Sequence, residues 1–337
     1  MALRQPKRLS RYDRRQVGRW ITGLVISALP LAAVGLSQWH ANAGLVYAGI
    51  LPAVTALLVD ARVAAGVVLL TPALMFAGLV LGPTPWAGAV LLAAVGAATG
   101  WVARYGLATA GTYVAVEVAL ATIAQPDATF LLVRSPTTLR NAVEVAAYVL
   151  VAGMWVVVVG TLLLHDIPRR RPDPVPARVA REYGAVLAVL AGGFGWAALS
   201  WLPGGNSWWV LLTLFVVLQP TTKATRDRAV QRILGTVAGA AAASVLALAI
   251  QSPRATAPLG AVLALLTLAA TLSAPYWLYT TALTMTIIVT TFAPQTVEGG
   301  GRERILFTVV GAVATAAVST AAHWLLSRAR PVVPAAG

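Results

Sequence analysis

Long apolar runs separated by short polar or basic punctuation dominate this chain. Twelve such runs stand out. The first half holds Trp20–Trp39, Ala43–Val59, Ala64–Leu81, Trp86–Val102, Gly106–Ala124 and Asn141–Leu164. The second half holds Tyr183–Trp201, Ser207–Gln219, Arg228–Ile250, Leu259–Leu272, Tyr276–Phe292 and Ile305–Leu326. Hydrophobicity is nearly continuous within each run, so periodicity does not separate helix from strand and length decides for helix. The ten-residue alternation of a membrane barrel is absent, and backbone in lipid must satisfy its own hydrogen bonds. A crossing helix needs about 20 apolar residues. The pattern therefore predicts an all-α integral membrane protein with about 12 transmembrane helices. The segment 259–292 reads either as two spans or as one helix broken at Ser273–Ala274–Pro275.

The two halves share a plan. Each has a basic opening, a span, a tight outer turn, a short second span, an inner charged segment and a third span. Gly44–Asp60 occupies the place of Ser207–Pro220, Arg62 aligns loosely with Arg232, and Gly66 falls near Thr236. Six spans per half make both halves enter the membrane in the same direction, a parallel repeat about the membrane normal. Short second spans at matching positions of two halves point to a transport pathway. The thirteen residues Ser207–Gln219 reach only about 20 Å as a helix, against a hydrocarbon core of about 30 Å.

Charge orients the spans. The 337 residues are 58% hydrophobic and only 11% charged, where a soluble domain carries about 25% charged residues. The mean hydropathy is +0.78. The net charge of +14 is read as membrane topology rather than nucleic-acid binding, because the basic residues cluster between apolar runs. With the N-terminus inside, five of the 25 basic residues (Arg134, Arg140, Arg254, Arg302, Arg304) fall in outer segments and all others in inner ones. The positive-inside rule then places both termini in the cytoplasm. The predicted organisation is a basic tail 1–19, a six-helix repeat 20–164, a Pro/Arg linker 165–182, a second six-helix repeat 183–326 and a tail 327–337. The basic start, the first apolar run and Ala41-Asn42-Ala43 mimic a cleavable leader; the run is read as an uncleaved span because it completes the repeat. Trp20, Trp39, Trp86, Trp101, Trp201, Trp208 and Trp209 read as interfacial anchors.

The most informative stretch is Trp208–Ala242. It concentrates Lys223, Arg226 and Arg228 against one acid, Asp227. Arg228 and Arg232, four apart, share a helical face that continues through Gly235 and Gly239, a spacing that lets another helix approach closely. A basic mouth of this kind concentrates anions, and Arg grips carboxylates bidentately; equally, any inner loop is basic because topology demands it. Glu117 is the one acid deep in a span, so it is read either as a proton carrier or as the partner of an Arg. Glu144 is expected to pair with Arg140. His323, Trp155 and Trp196 read as packing residues. Pro30, Pro52 and Pro72 fall inside the first three spans and break helical hydrogen bonds.

No phosphate-binding loop, no metal-ligand spacing and no nucleophile elbow is present, and there is no cysteine. The chain is therefore read as a non-enzyme without cofactor or metal.

The run ending in Gln219-Pro220, then Ala224-Thr225-Arg226, then Arg228, Arg232, Gly235, Thr236 and Gly239 resembles the fusaric acid resistance family of the aromatic acid exporter superfamily. It is similar, more distantly, to the plant aluminium-activated malate channels. The resemblance covers about 35 residues. It implies a bacterial inner-membrane transporter or channel for organic, often aromatic, carboxylate anions that pairs into a homo-oligomer. It assigns anion recruitment to Arg226, Arg228 and Arg232, to which the basic mouth adds Lys223, and helix packing to Gly235, Thr236 and Gly239. Expected partners are the bilayer and a small organic anion, with no nucleic acid. Two other readings stay open: a proton-coupled multidrug exporter using Glu117, and a membrane assembly protein that moves nothing.

Overall fold

The apolar runs become helices whose ends lie beyond the apolar limits. The computed structural model describes residues 14–37, 39, 42–130, 133–134, 138–163, 174–202, 205–250, 253–292 and 296–328. Most of the basic tail, residues 165–173 of the linker and the tail from 329 lie outside the described residues, as do the side chains of Arg254 and His323.

Thirteen α-helices follow in order among the described residues: α1 Arg14–Ser27, α2 Leu29–Gly35, α3 Ala43–Leu57, α4 Ala61–Leu81, α5 Pro85–Val102, α6 Ala108–Ala119, α7 Thr138–Leu163, α8 Ala177–Trp201, α9 Trp208–Val217, α10 Thr222–Ala249, α11 Pro253–Ser273, α12 Tyr276–Thr291 and α13 Val297–Arg328. The first run is bent by 41° between α1 and α2, where Pro30 occupies the opening of α2. A π-helical turn, Leu120–Ala124, extends α6, and a two-residue hairpin, β1 Thr129–Phe130 with β2 Val133–Arg134, follows it. Neither the turn nor the hairpin is visible in hydropathy.

Every predicted run lies on a helix, but several helices begin earlier than the runs do. α10 starts at Thr222 rather than Arg228, and α13 at Val297 rather than Ile305. The presumed loops Pro220–Arg228 and Val297–Arg304 are thus largely helical, and α8 extends into the segment read as linker. Hydropathy marks only where a helix is apolar, while Arg, Lys, Gln and Glu are good helix formers. Pairs four apart support these polar ends: Arg140–Glu144 at 2.8 Å, Arg178–Glu182 at 2.9 Å and Arg302–Glu298. The open question over 259–292 resolves into two helices. Thr267 of α11 bonds Thr286 of α12 at 2.9 Å, and Gly260 faces Thr290, so the two run antiparallel as a hairpin.

Among the described residues six helices can cross a membrane by length and composition, or seven with the bent α1/α2 pair. Large apolar side chains such as Leu69, Val90, Val151, Leu162, Val189 and Leu248 are exposed on these helices, as lipid contact requires. The chain is a multi-pass, all-helical membrane protein apart from the small hairpin.

Glycines set the closest helix contacts. On α5, Gly100 lies against Gly184 of α8, Gly96 against Leu187 and Gly88 against Leu199, an antiparallel seam joining the two halves. On α10, Gly235 and Gly239 lie against Trp277, Thr280, Thr281 and Thr284 of α12, which runs parallel to it.

Two further helix pairs run parallel. α3 runs parallel to α7, with Gly49 on Val149 and Gly160 on Leu57, and α9 runs parallel to α13, with Gly311 on Thr213. Buried Ala64, Val68, Thr71, Met75, Gly78 and Leu79 of α4 recur as buried Thr225, Ala229, Arg232, Thr236, Gly239 and Ala240 of α10. Buried Val145 and Val149 of α7 recur as Arg304 and Thr308 of α13. Asp60 and Thr221 cap α4 and α10 alike.

Candidate functional site

The site is built on the corner between α9 and α10. All of α9 from Trp209 to Val217 is buried in protein. The chain leaves it extended at Leu218, whose carbonyl accepts from the Tyr183 hydroxyl at 3.2 Å. Thr225 then ties the corner: its Oγ1 accepts from the Gln219 N–H at 3.0 Å and donates to the Thr221 carbonyl at 3.0 Å. The Thr221 side chain accepts from the Ala224 N–H and caps α10. Pro220 sits where the N–H of a continuing helix would be needed, which favours ending α9 there.

Basic residues enter the protein in steps along α10. Lys223 and Arg226 are exposed, Arg228 is half-buried and Arg232 is fully buried at 0% exposure. The Arg228 guanidinium lies 3.7 Å from the centroid of the Tyr276 ring, a cation–π contact, and its Nε has no acceptor. All three guanidinium nitrogens of Arg232 are buried without an acceptor.

A second arginine shares this interior, and the sequence did not reveal it. Arg304, read as an outer-loop charge, is 0% exposed on α13 with all three guanidinium nitrogens unpartnered. It lies 4.7 Å from the centroid of the Trp209 ring and within electrostatic reach of Arg232. Trp209 is likewise not an interfacial anchor. It is 0% exposed and packs edge-on to Phe292 and Phe307 at 6.2 and 6.4 Å. The reason is α9 itself: protein encloses this helix on every side, so its tryptophan has no interface to reach. Trp20 is also buried, whereas Trp86, Trp101 and Trp201 are exposed.

Threonines complete the seam. A helical threonine usually donates back to the carbonyl four residues earlier, as Thr267, Thr286, Thr290 and Thr315 do. Thr213, Thr236, Thr280, Thr284 and Thr308 do not; their hydroxyls are buried and unpartnered. They stand on the faces that α9, α10, α12 and α13 turn toward one another. Buried polar groups are ordinarily bonded, and buried charges are paired. Here unmet donors are carried by four neighbouring helices, and an acceptor such as an anion would satisfy them.

Glu117 stands apart from this seam. It is 5% exposed on α6 and makes no ion pair among the described residues; Tyr47 of α3 is within its electrostatic reach. One turn earlier on α6, the Tyr113 hydroxyl donates to that of Tyr279 on α12 at 2.9 Å, a polar bridge between the halves that no sequence motif indicates. Trp155 donates its indole N–H to the Ile26 carbonyl at 2.8 Å, a packing role.

No curated protein and no solved structure matches the chain. Residues 180–318, which contain the α9–α10 corner, Arg232 and Arg304, match the family model described as fusaric acid resistance protein-like.

Proposed function

We propose that this protein moves small organic anions across a membrane along a line of arginines. The observation that carries the reading is the burial of Arg232 and Arg304 with no acceptor on any guanidinium nitrogen. An unpaired charge so placed is costly unless function retains it. Exposed Lys223 and Arg226 recruit the anion by their field, half-buried Arg228 receives it, and Arg232 and Arg304 hold it between helices. The family match supports transport over catalysis.

The finer picture belongs to the same proposal. The chain crosses the inner membrane of a bacterium twelve times as two parallel six-helix repeats, with both termini and the basic mouth in the cytoplasm. The recurrent burial of α4 in α10 and of α7 in α13 supports the repeat. The negative interior then favours anion exit, and carboxylates, aromatic ones included, are the substrates. Gly235, Thr236 and Gly239 maintain the close α10–α12 contact. The test is anion flux in proteoliposomes. The double variant Arg232→Met/Arg304→Met is expected to lose flux at least about a hundredfold, as removal of buried hydrogen-bonding charges costs 2–5 kcal/mol or more. Undiminished flux in a well-folded double variant removes the reading.

A second reading concerns energy coupling, and the burial of Glu117 without an ion pair favours it. Glu117 carries a proton against the anion. Glu117→Gln is then expected to leave anion binding intact and to abolish acceleration of flux by an imposed proton gradient. Equal response of both proteins to the gradient sinks it.

A further inference from the structure

We infer that the seam between α9, α10, α12 and α13 selects its ligand by charge number, taking small dianions in preference to monoanions of the same size, because Arg232 and Arg304 are both fully buried and neither has an anionic partner. The inference rests on the anion-transport reading and deepens it.

The two guanidinium charges act on each other across the seam. Neutral Trp209 lies against Arg304, Tyr276 and Tyr279 are within its electrostatic reach, and the charged neighbour one turn before Arg232 is Arg228, another cation. The acids of these helices, Asp227, Glu298 and Glu303, are exposed. Among the described residues the one buried carboxylate is Glu117, on α6. A monoanion neutralises one guanidinium and leaves the other buried and unpaired, still carrying its desolvation cost. A dianion neutralises both. Each guanidinium offers a planar fork of donors to a carboxylate or sulfate group, and the unpartnered threonine hydroxyls complete the coordination without adding charge. The first half offers no equivalent, since Thr71, Met75, Val145 and Val149 occupy the corresponding buried positions. Among the described residues Arg232 and Arg304 are the two arginines with every guanidinium nitrogen buried and unpartnered.

The test uses the full-length protein in detergent and calorimetric titration with butyrate and succinate, which match in carbon count and differ in charge. Sulfate serves as a compact dianion. Wild type is expected to bind succinate or sulfate at least about tenfold more tightly than butyrate, the scale of one well-formed charged contact. Arg304→Gln is expected to bring this ratio to near unity while butyrate still binds on Arg232. Arg232→Gln, checked alongside by size-exclusion profile, does the same from the other side. Tight sulfate with weaker succinate supports a single compact group between the arginines, and the reverse supports two separated carboxylates; both sustain dianion selection. Butyrate binding as tight as both dianions in wild type, or a ratio unchanged in both variants, overturns the inference and leaves the anion reading standing. Binding of none of the three overturns the anion reading itself.

Discussion

Ligand-free Arg232→Met/Arg304→Met is expected to melt at a higher temperature than wild type, although it transports nothing. Both wild-type guanidinia are buried without acceptors, so each carries its desolvation cost uncompensated. Replacing buried ionic groups by apolar ones of similar volume is often neutral or stabilising by about 1–4 kcal/mol, even where the charges were paired. Methionine is unbranched and adaptable enough to fill the vacated space. The measurement is apparent melting temperature in detergent, with and without a saturating anion. A specific ligand stabilises by mass action, so wild type gains on adding anion and the double variant does not. A double variant that melts below wild type, yet elutes as the same species, contradicts the claim that these charges are held at the expense of stability.

Gly100→Ala is expected to be strongly destabilising, and Gly66→Ala is expected to be neutral or stabilising. Both residues lie in membrane helices, and alanine is favoured over glycine in a helix by about 0.8–1 kcal/mol. What differs is the neighbour. A Cβ on Gly100 runs into the backbone of Gly184 and comes within 3.1 Å of the Ala180 carbonyl, whereas one on Gly66 meets nothing within 4 Å. Backbone cannot rotate aside as a side chain can, so α5 and α8 must separate. Overpacking costs about 1–3 kcal/mol even where side chains yield, and this contact belongs at the upper end. Because α5 and α8 come from different halves, the loss includes contacts between them. Apparent melting temperatures of the two variants, read against wild type, check the contrast in sign.

Much of the helical layout was legible because lipid imposes it: a run of apolar residues of sufficient length has few alternatives to a helix. The interior was less legible. Arg232 could be placed on the Gly235–Gly239 face because the small residues that permit helix contact follow it at helical spacing. Arg304 lies in Gly-Gly-Gly-Arg-Glu-Arg, a string that reads as a polar loop in any hydropathy window. Its signal was spacing instead: Gly300, Arg304, Thr308, Gly311 and Thr315 recur every three or four residues as a single face, all of them buried. Trp209 misled for the opposite reason, since a tryptophan at a span end looks like an anchor whether or not lipid reaches it. The π-turn and the Tyr113–Tyr279 bridge depend on how the helices meet, which no local pattern encodes.

Helix α9, with ten residues, extends about 15 Å, half of a hydrocarbon core of about 30 Å. It ends at a polar corner where Thr221 is exposed. Solvent reaching that corner carries the potential of its own side of the membrane inward with it, so the voltage difference falls mainly across the stretch holding Arg228, Arg232 and Arg304. Each elementary charge crossing the full potential exchanges about 2.3 kcal/mol per 100 mV. A solute with two charges feels twice that over a shortened path. Turnover should therefore steepen with applied voltage in proportion to solute valence, and its rectification should be set by where along those arginines the solute pauses.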